Sequence, residues 1–196
     1  MTYVDYPIDR LMSGPYSLGP RPGRYGYRAG TRGRIAEAML ETALPVLKRI
    51  NYRIVLPKTE QYNCIAWAAG DQTRWWHPFA ARAAGRRCAA HGLPDHCFWP
   101  LADYAHSMTT YIAAFETVGY RLCAFDPSPE PGIEKIALYQ WPDLDGCSHA
   151  ARQLPSGVWV SKVNDLPGIA HLRPSDLEGK QGYGQVVEYM FRRRPL

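Results

Sequence analysis

Three residues stand in an order that can carry nucleophilic chemistry: Cys64, then His149, then Ser161. A thiol attacks a carbonyl only once its proton has left, and a helix N-terminus together with a nearby imidazolium favours the thiolate. The run Gln61-Tyr62-Asn63-Cys64-Ile65-Ala66-Trp67-Ala68-Ala69-Gly70 reads as a helix that begins near Cys64, turns Ile65, Ala68 and Ala69 inward and stops at Gly70. His149 opens a strand directly after the turn Asp145-Gly146-Cys147-Ser148, 85 residues beyond the cysteine, which is the chain order of a thiol hydrolase.

A base needs a group that fixes its ring. If His149 to Leu154 and Val158 to Val163 pair across Pro155-Ser156-Gly157, the residue opposite His149 falls between Ser161 and Val163. Ser161 shares the phase of Trp159 and is the first candidate, with Asn164 and Asp165 as alternatives if the register slips. The backbone N–H of Cys64 supplies one oxyanion donor, and Gln61 or Asn63 a second. Each has a plainer role: Asn63 as a helix cap, Cys64 as a small buried hydrophobe. Trp75 and Trp76 are adjacent, so one should face outward as a cleft wall if the segment is extended. Arg152 and Gln153, near the proposed base, could hold a substrate carboxylate or amide.

The stretches Asn63-Cys64-Ile65-Ala66-Trp67-Ala68, Arg74-Trp75-Trp76, Glu134 to Tyr139 and His149 to Lys162 resemble an uncharacterised bacterial domain family over about Gln61 to Arg192. In layout that family resembles papain-like thiol peptidases and amidases, notably the compact branch that cuts bacterial cell-wall peptides. The resemblance implies a papain-like α+β fold and a peptide or isopeptide amide as substrate. It implies Cys64 as nucleophile, His149 as base and Ser161 as third residue, where that branch usually carries histidine, asparagine or glutamine. An effector or toxin role fits so small a domain. The alternative is a non-catalytic binding module of the same fold.

A second cluster, Cys88-Ala-Ala-His91-Gly-Leu-Pro-Asp-His96-Cys97, holds ligand types that zinc prefers. Neighbouring side chains diverge, so His96 and Cys97 are awkward on one tetrahedral ion. The stretch reads as an insertion at about 79–98, structural zinc is the weak alternative, and otherwise no cofactor is expected.

The elements that must position these groups come in order. Residues 1–33 lack sustained periodicity and read as a basic arm. Arg34 to Ile50 reads as a helix broken near Pro45, followed by the apolar run Arg53 to Leu56. A helix from Ser107, as cap, to Val118 precedes the stop Gly119. After it come short runs at Tyr120 to Cys123, Glu134 to Tyr139, His149 to Leu154, Val158 to Val163 and Val186 to Phe191. Helices first and then an antiparallel sheet predict an α+β architecture with segregated layers.

Composition sets the limits. With 196 residues, 46% hydrophobic and 21% charged, the chain is sized for one core, and no apolar run approaches the length of a membrane span. The formal charge of +5 sits largely in the tails, at Arg10, Arg21, Arg24, Arg28 and Arg32 and at Arg192, Arg193 and Arg194. Scattered terminal arginines favour solubility, or a protein partner of the arm, over nucleic acid. Five cysteines leave at least one outside any intramolecular disulfide set. The opening residues carry Asp5 and Asp9 and no apolar signal core, so the expected location is cytoplasmic as synthesised, with signal-less export left open.

Overall fold

A computed structural model describes residues 31–78 and 97–194. The expected arm, apart from its last three residues, and most of the Cys/His insertion lie outside the described residues. The elements run α1 (Thr31–Ala43), a 3-10 segment (Pro45–Arg49), β1 (Tyr52–Leu56), α2 (Cys64–Ala69), β2 (Trp75–Trp76), β3 (Cys97–Phe98) and α3 (Met108–Glu116). Then come β4 (Arg121–Leu122), β5 (Ile133–Gln140), β6 (Cys147–Gln153), β7 (Trp159–Lys162), β8 (Gly168–His171), a 3-10 segment (Pro174–Leu177) and β9 (Gln185–Arg193). The helix starting at Thr31 claims residues 31–33 of the expected arm, and the break near Pro45 separates α1 from the first 3-10 segment.

The architecture is mixed α and β, built on a seven-stranded antiparallel sheet in the order β1-β8-β7-β6-β5-β9-β4. Two departures from the expected order matter. The strand Arg53 to Leu56 comes from the helical half yet pairs with β8 at one edge, so the layers are not segregated along the chain. Trp75–Trp76 pairs in parallel with Cys97–Phe98 as a separate two-stranded unit.

Both faces of the sheet are covered. On one side α2, α3, Trp76 and Trp99 pack on Ile136, Leu138, Ala150, Val160 and Met190. On the other, Leu40, Leu44 and Leu47 pack on Ala137, Tyr139, Ala151, Trp159 and Ile169. A sheet buried on both faces reads as near-continuous apolar runs, so the sequence does not reveal which side each strand residue takes. Two short helices are capped as expected: Asn63 Oδ1 accepts from Ala66 N at 3.0 Å and Ser107 Oγ from Thr110 N at 3.3 Å.

Arginines expected in a solvated tail are drawn into the core. Glu134, fully buried, accepts from Tyr120 Oη at 2.6 Å, from Arg152 Nη2 at 2.6 Å and from Arg192 Nη2 at 2.8 Å, with Arg194 Nη1 at 3.4 Å. Arg192 also donates to the carbonyls of Ala69 and Val118, which end α2 and the turn after α3. Gly70, at φ 88°, lets this guanidinium approach, because a Cβ there would lie 3.2 Å from Arg192 Nη2. Burial works to raise the Glu134 carboxyl, and Arg152, Arg192 and the Tyr120 hydroxyl outweigh it, so the group stays ionised. One carboxylate thus ties both helices to β5, β6 and β9. Glu134→Gln should cost about 3–5 kcal/mol in urea unfolding, because it leaves buried guanidiniums without their counter-charge. A loss below about 1 kcal/mol would show the cluster to be incidental.

Candidate functional site

Cys64 opens α2, as the sequence implies, and its sulfur lies under the start of β6. The backbone N–H groups of Ala150, Ile65 and Cys64 and the charge of Lys162 all act to stabilise a thiolate there. Burial acts against them and is the largest influence, so the thiol is held above its ordinary value. A helix of six residues has a short dipole to set against that burial, and the cysteine is only 7% exposed.

His149 faces the other way. Along β5 and β6, Leu138 and its partner Ala150 point toward α2, so the next pair, Tyr139 and His149, points toward α1. The imidazole lies flat on Tyr183, with ring centroids 3.8 Å apart and planes at 5°, and edge-on to Tyr139 at 5.2 Å. Nε2 meets Ser161 Oγ at 2.9 Å; Nδ1 is buried without a hydrogen-bond partner. No hydrogen bond joins the ring to Cys64. The expected nucleophile and base therefore lie at the same end of β6, on opposite sides of the sheet. A side chain cannot pass through its own strand, so this geometry does not form the thiol–imidazole pair.

Ser161 does sit beside His149, and it also meets His171 Nε2 at 3.0 Å. His171 Nδ1 lies 2.8 Å from the carbonyl of Arg173. All three side chains are fully buried and lie on adjacent strands β6, β7 and β8. Burial keeps both imidazoles neutral: His149 is depressed well below its ordinary value, with His171 adding to the effect, and His171 is lowered to about 4. Asn164 and Asp165 instead form the turn after β7. The Asn164 carbonyl accepts from Lys162, and Asp165 lies 3.7 Å from Lys58.

The remaining sequence candidates within the described residues are engaged in contacts with the rest of the chain or lie at its surface. Asn63 spends its side chain on Ala66 N and on Trp76, donating to the Trp76 carbonyl at 2.9 Å; it is a clamp rather than an oxyanion donor. Gln61 is exposed, and its backbone N–H donates to Thr59 Oγ1 at 3.1 Å. Neither tryptophan faces outward: Trp75 donates to the Glu60 carbonyl, and Trp76 to Asp71 at 3.0 Å. Arg152 belongs to Glu134, and Gln153 Nε2 donates to the Pro127 carbonyl at 2.7 Å. Cys97 is disulfide-bonded, so it offers no thiolate to zinc, whereas Cys88, His91 and His96 lie outside the described residues. Among the described residues no group of three or more His, Cys, Asp or Glu side chains is placed to hold a metal, and no helix is long and apolar enough to cross a membrane.

Two residues at this site went unread in the sequence. Lys162, fully buried on the α2 side, donates to the carbonyls of Thr59 (3.1 Å), Asn164 and Leu166 (2.7 Å), and burial lowers it to about 8. Its signal was a lysine inside the apolar run Trp159 to Val163. His171 lies on β8, a strand too short to announce itself. The His171 shift gives a prediction with a definite sign. A base depressed on folding supplies stability that is complete above its unfolded value, about 6.5, and is lost as pH falls toward 4. His171 alone should take roughly 3 kcal/mol from the unfolding free energy across that window, His149, depressed in the same direction, adds its own share, and His171→Gln should remove the His171 part of the drop. An unchanged slope in the variant would assign the acid sensitivity elsewhere.

Compared with known proteins, the chain matches one family over residues 53–191, a domain of unknown function (DUF7689), and it belongs to that family. No curated protein and no solved structure matches it.

Proposed function

We propose that the domain is a non-catalytic binding module, in which Cys64, His149 and Ser161 serve the framework and recognition is done by the surface. The observation that carries this reading is the sheet standing between the thiol and the imidazole, with both groups buried and held neutral. Structural partners account for each. The β6–β7 ladder pairs only Arg152 with Val160 and Gln153 with Trp159. Beyond it, the Ala150 N–H lies against the Cys64 sulfur, and Trp67 Nε1 donates to the Val160 carbonyl at 3.3 Å. Residues from α2 thus occupy polar backbone where the two strands part. The papain-like chain order is kept in this reading, with the base on the wrong side of the sheet for catalysis. A peptide or protein partner would gain most at the apolar side chains left in solvent, such as Leu122 in the short edge strand β4 and Phe125 just after it.

A second reading, the thiol hydrolase of a peptide or isopeptide amide, is favoured by one feature: the N–H groups and the caged Lys162 ammonium around the sulfur. Its nucleophile would be Cys64, with charge support from Lys162 in place of His149.

Iodoacetamide separates the two. The binding-module reading predicts that Cys64 alkylates with a midpoint at or above the ordinary thiol value, about 8.5, and that His149→Ala and Lys162→Met leave the rate below that pH unchanged. Fast alkylation well below about pH 8, slowed in Lys162→Met, would establish the hydrolase instead.

A further inference from the structure

We propose that the His149–Ser161–His171 chain is an acid-released latch that keeps the Cys64 sulfur covered by holding β6 against β7. This goes beyond either reading of function and depends on neither.

The hydrogen bonds fix where each proton lies. The Arg173 carbonyl can only accept, so Nδ1 of His171 carries its proton and, in the neutral ring, Nε2 is an acceptor. Ser161 must then donate its one proton to His171 and accept from His149. Nε2 of His149 is therefore the protonated nitrogen, and its unpartnered Nδ1 is left bare. The chain runs one way, from His149 to Ser161 to His171 to Arg173, with a single arrangement of donors in the neutral state.

Acid disrupts that arrangement. A proton added to Nε2 of His171 makes that nitrogen a donor, so Ser161 then faces two imidazole donors. Its oxygen can accept from both, but its own O–H loses the acceptor it had in His171 and is left buried without one. A second proton, on Nδ1 of His149, meets no acceptor. The surroundings offer little compensation. His149 faces Tyr139 from β5 and Tyr183 from the turn before β9, neither of them a carboxylate. His171 pairs across its strand neighbours with Tyr52, whose hydroxyl bonds Glu41 of α1, and with Trp159; the nearby charge is Asp176, already bonded to Arg173 at 2.9 Å.

The position of the chain turns this into a latch. The backbone ladder between β6 and β7 stops at Arg152 and Val160, and from there to His149 the imidazole–hydroxyl bond is what crosses between the strands on the α1 side. Behind that bond lies the Ala150 N–H, with the Cys64 sulfur on it. Releasing the chain opens the strands at the point where the thiol is covered.

The test is site-resolved labelling with 4,4′-dithiodipyridine, a disulfide reagent that attacks thiols in acid, read by peptide mass spectrometry on the whole chain. Cys64 should be protected near pH 7 and react at least about tenfold faster by about pH 4.5, with Cys123, outside β6 and β7, as the internal reference that does not accelerate in step. His171→Gln, which can accept from Ser161 and donate to Arg173 without titrating, should keep Cys64 slow at the acid pH. Ser161→Ala should make it fast at neutral pH. A flat Cys64 rate, a rise shared by Cys123 with loss of far-ultraviolet circular dichroism, or an unaltered acid response in folded His171→Gln would each overturn the latch.

Discussion

Two adjacent strands that pair over only two residues each set the terms for the rest of this site. β6 and β7 share a ladder at Arg152–Val160 and Gln153–Trp159, yet β6 continues back to Cys147 and β7 on to Lys162. Backbone polar groups in a doubly covered sheet cannot turn to water. The chain meets the constraint from both faces: α2 presents a sulfur and an indole to the strands from one side, and two imidazoles with a hydroxyl bridge them from the other. Residues that look like reactive groups in the sequence are, in the fold, occupants of this seam.

The same economy governs the charged interior. Glu134 gathers Arg152, Arg192 and Arg194, and Lys162 is caged by three carbonyls that join the loop before α2 to the turn after β7. Burying such groups contributes little net stability, but once buried they are costly to orphan. They fix where α2 sits. That placement keeps the Cys64 thiol protonated despite the donors around it, because loss of water outweighs the backbone N–H groups and the Lys162 ammonium.

Much of this was legible in the sequence. Helix caps at Asn63 and Ser107, the break at Pro45, the hairpin across Pro155-Ser156-Gly157 and the neighbourhood of His149 and Ser161 follow from local rules, which depend on a few consecutive residues. The phase of Ser161 with Trp159 correctly assigned it to one face. What the residues did not show was which face α2 would cover. That choice depends on long-range packing, and in strands buried on both sides there is no polar alternation to mark it. The irregularity in the β5–β6 pairing between Tyr139 and Gln140, opposite the start of β6, further hides the phase of His149. Arg192 and Arg194 were misread for a related reason, since a terminal cluster of arginines carries no local sign of a carboxylate 58 and 60 residues away.

The account stands on His149 being a neutral ring committed to Ser161 rather than a partner of Cys64. Imidazole nitrogen-15 resonances of His149, recorded at neutral pH in the native chain and in Cys64→Ser, test that most directly. A neutral ring with the proton on Nε2, unmoved by the substitution, is the predicted result. An imidazolium with both nitrogens protonated, or a ring whose state changes when the sulfur is removed, would contradict it and restore the thiol–imidazole pair.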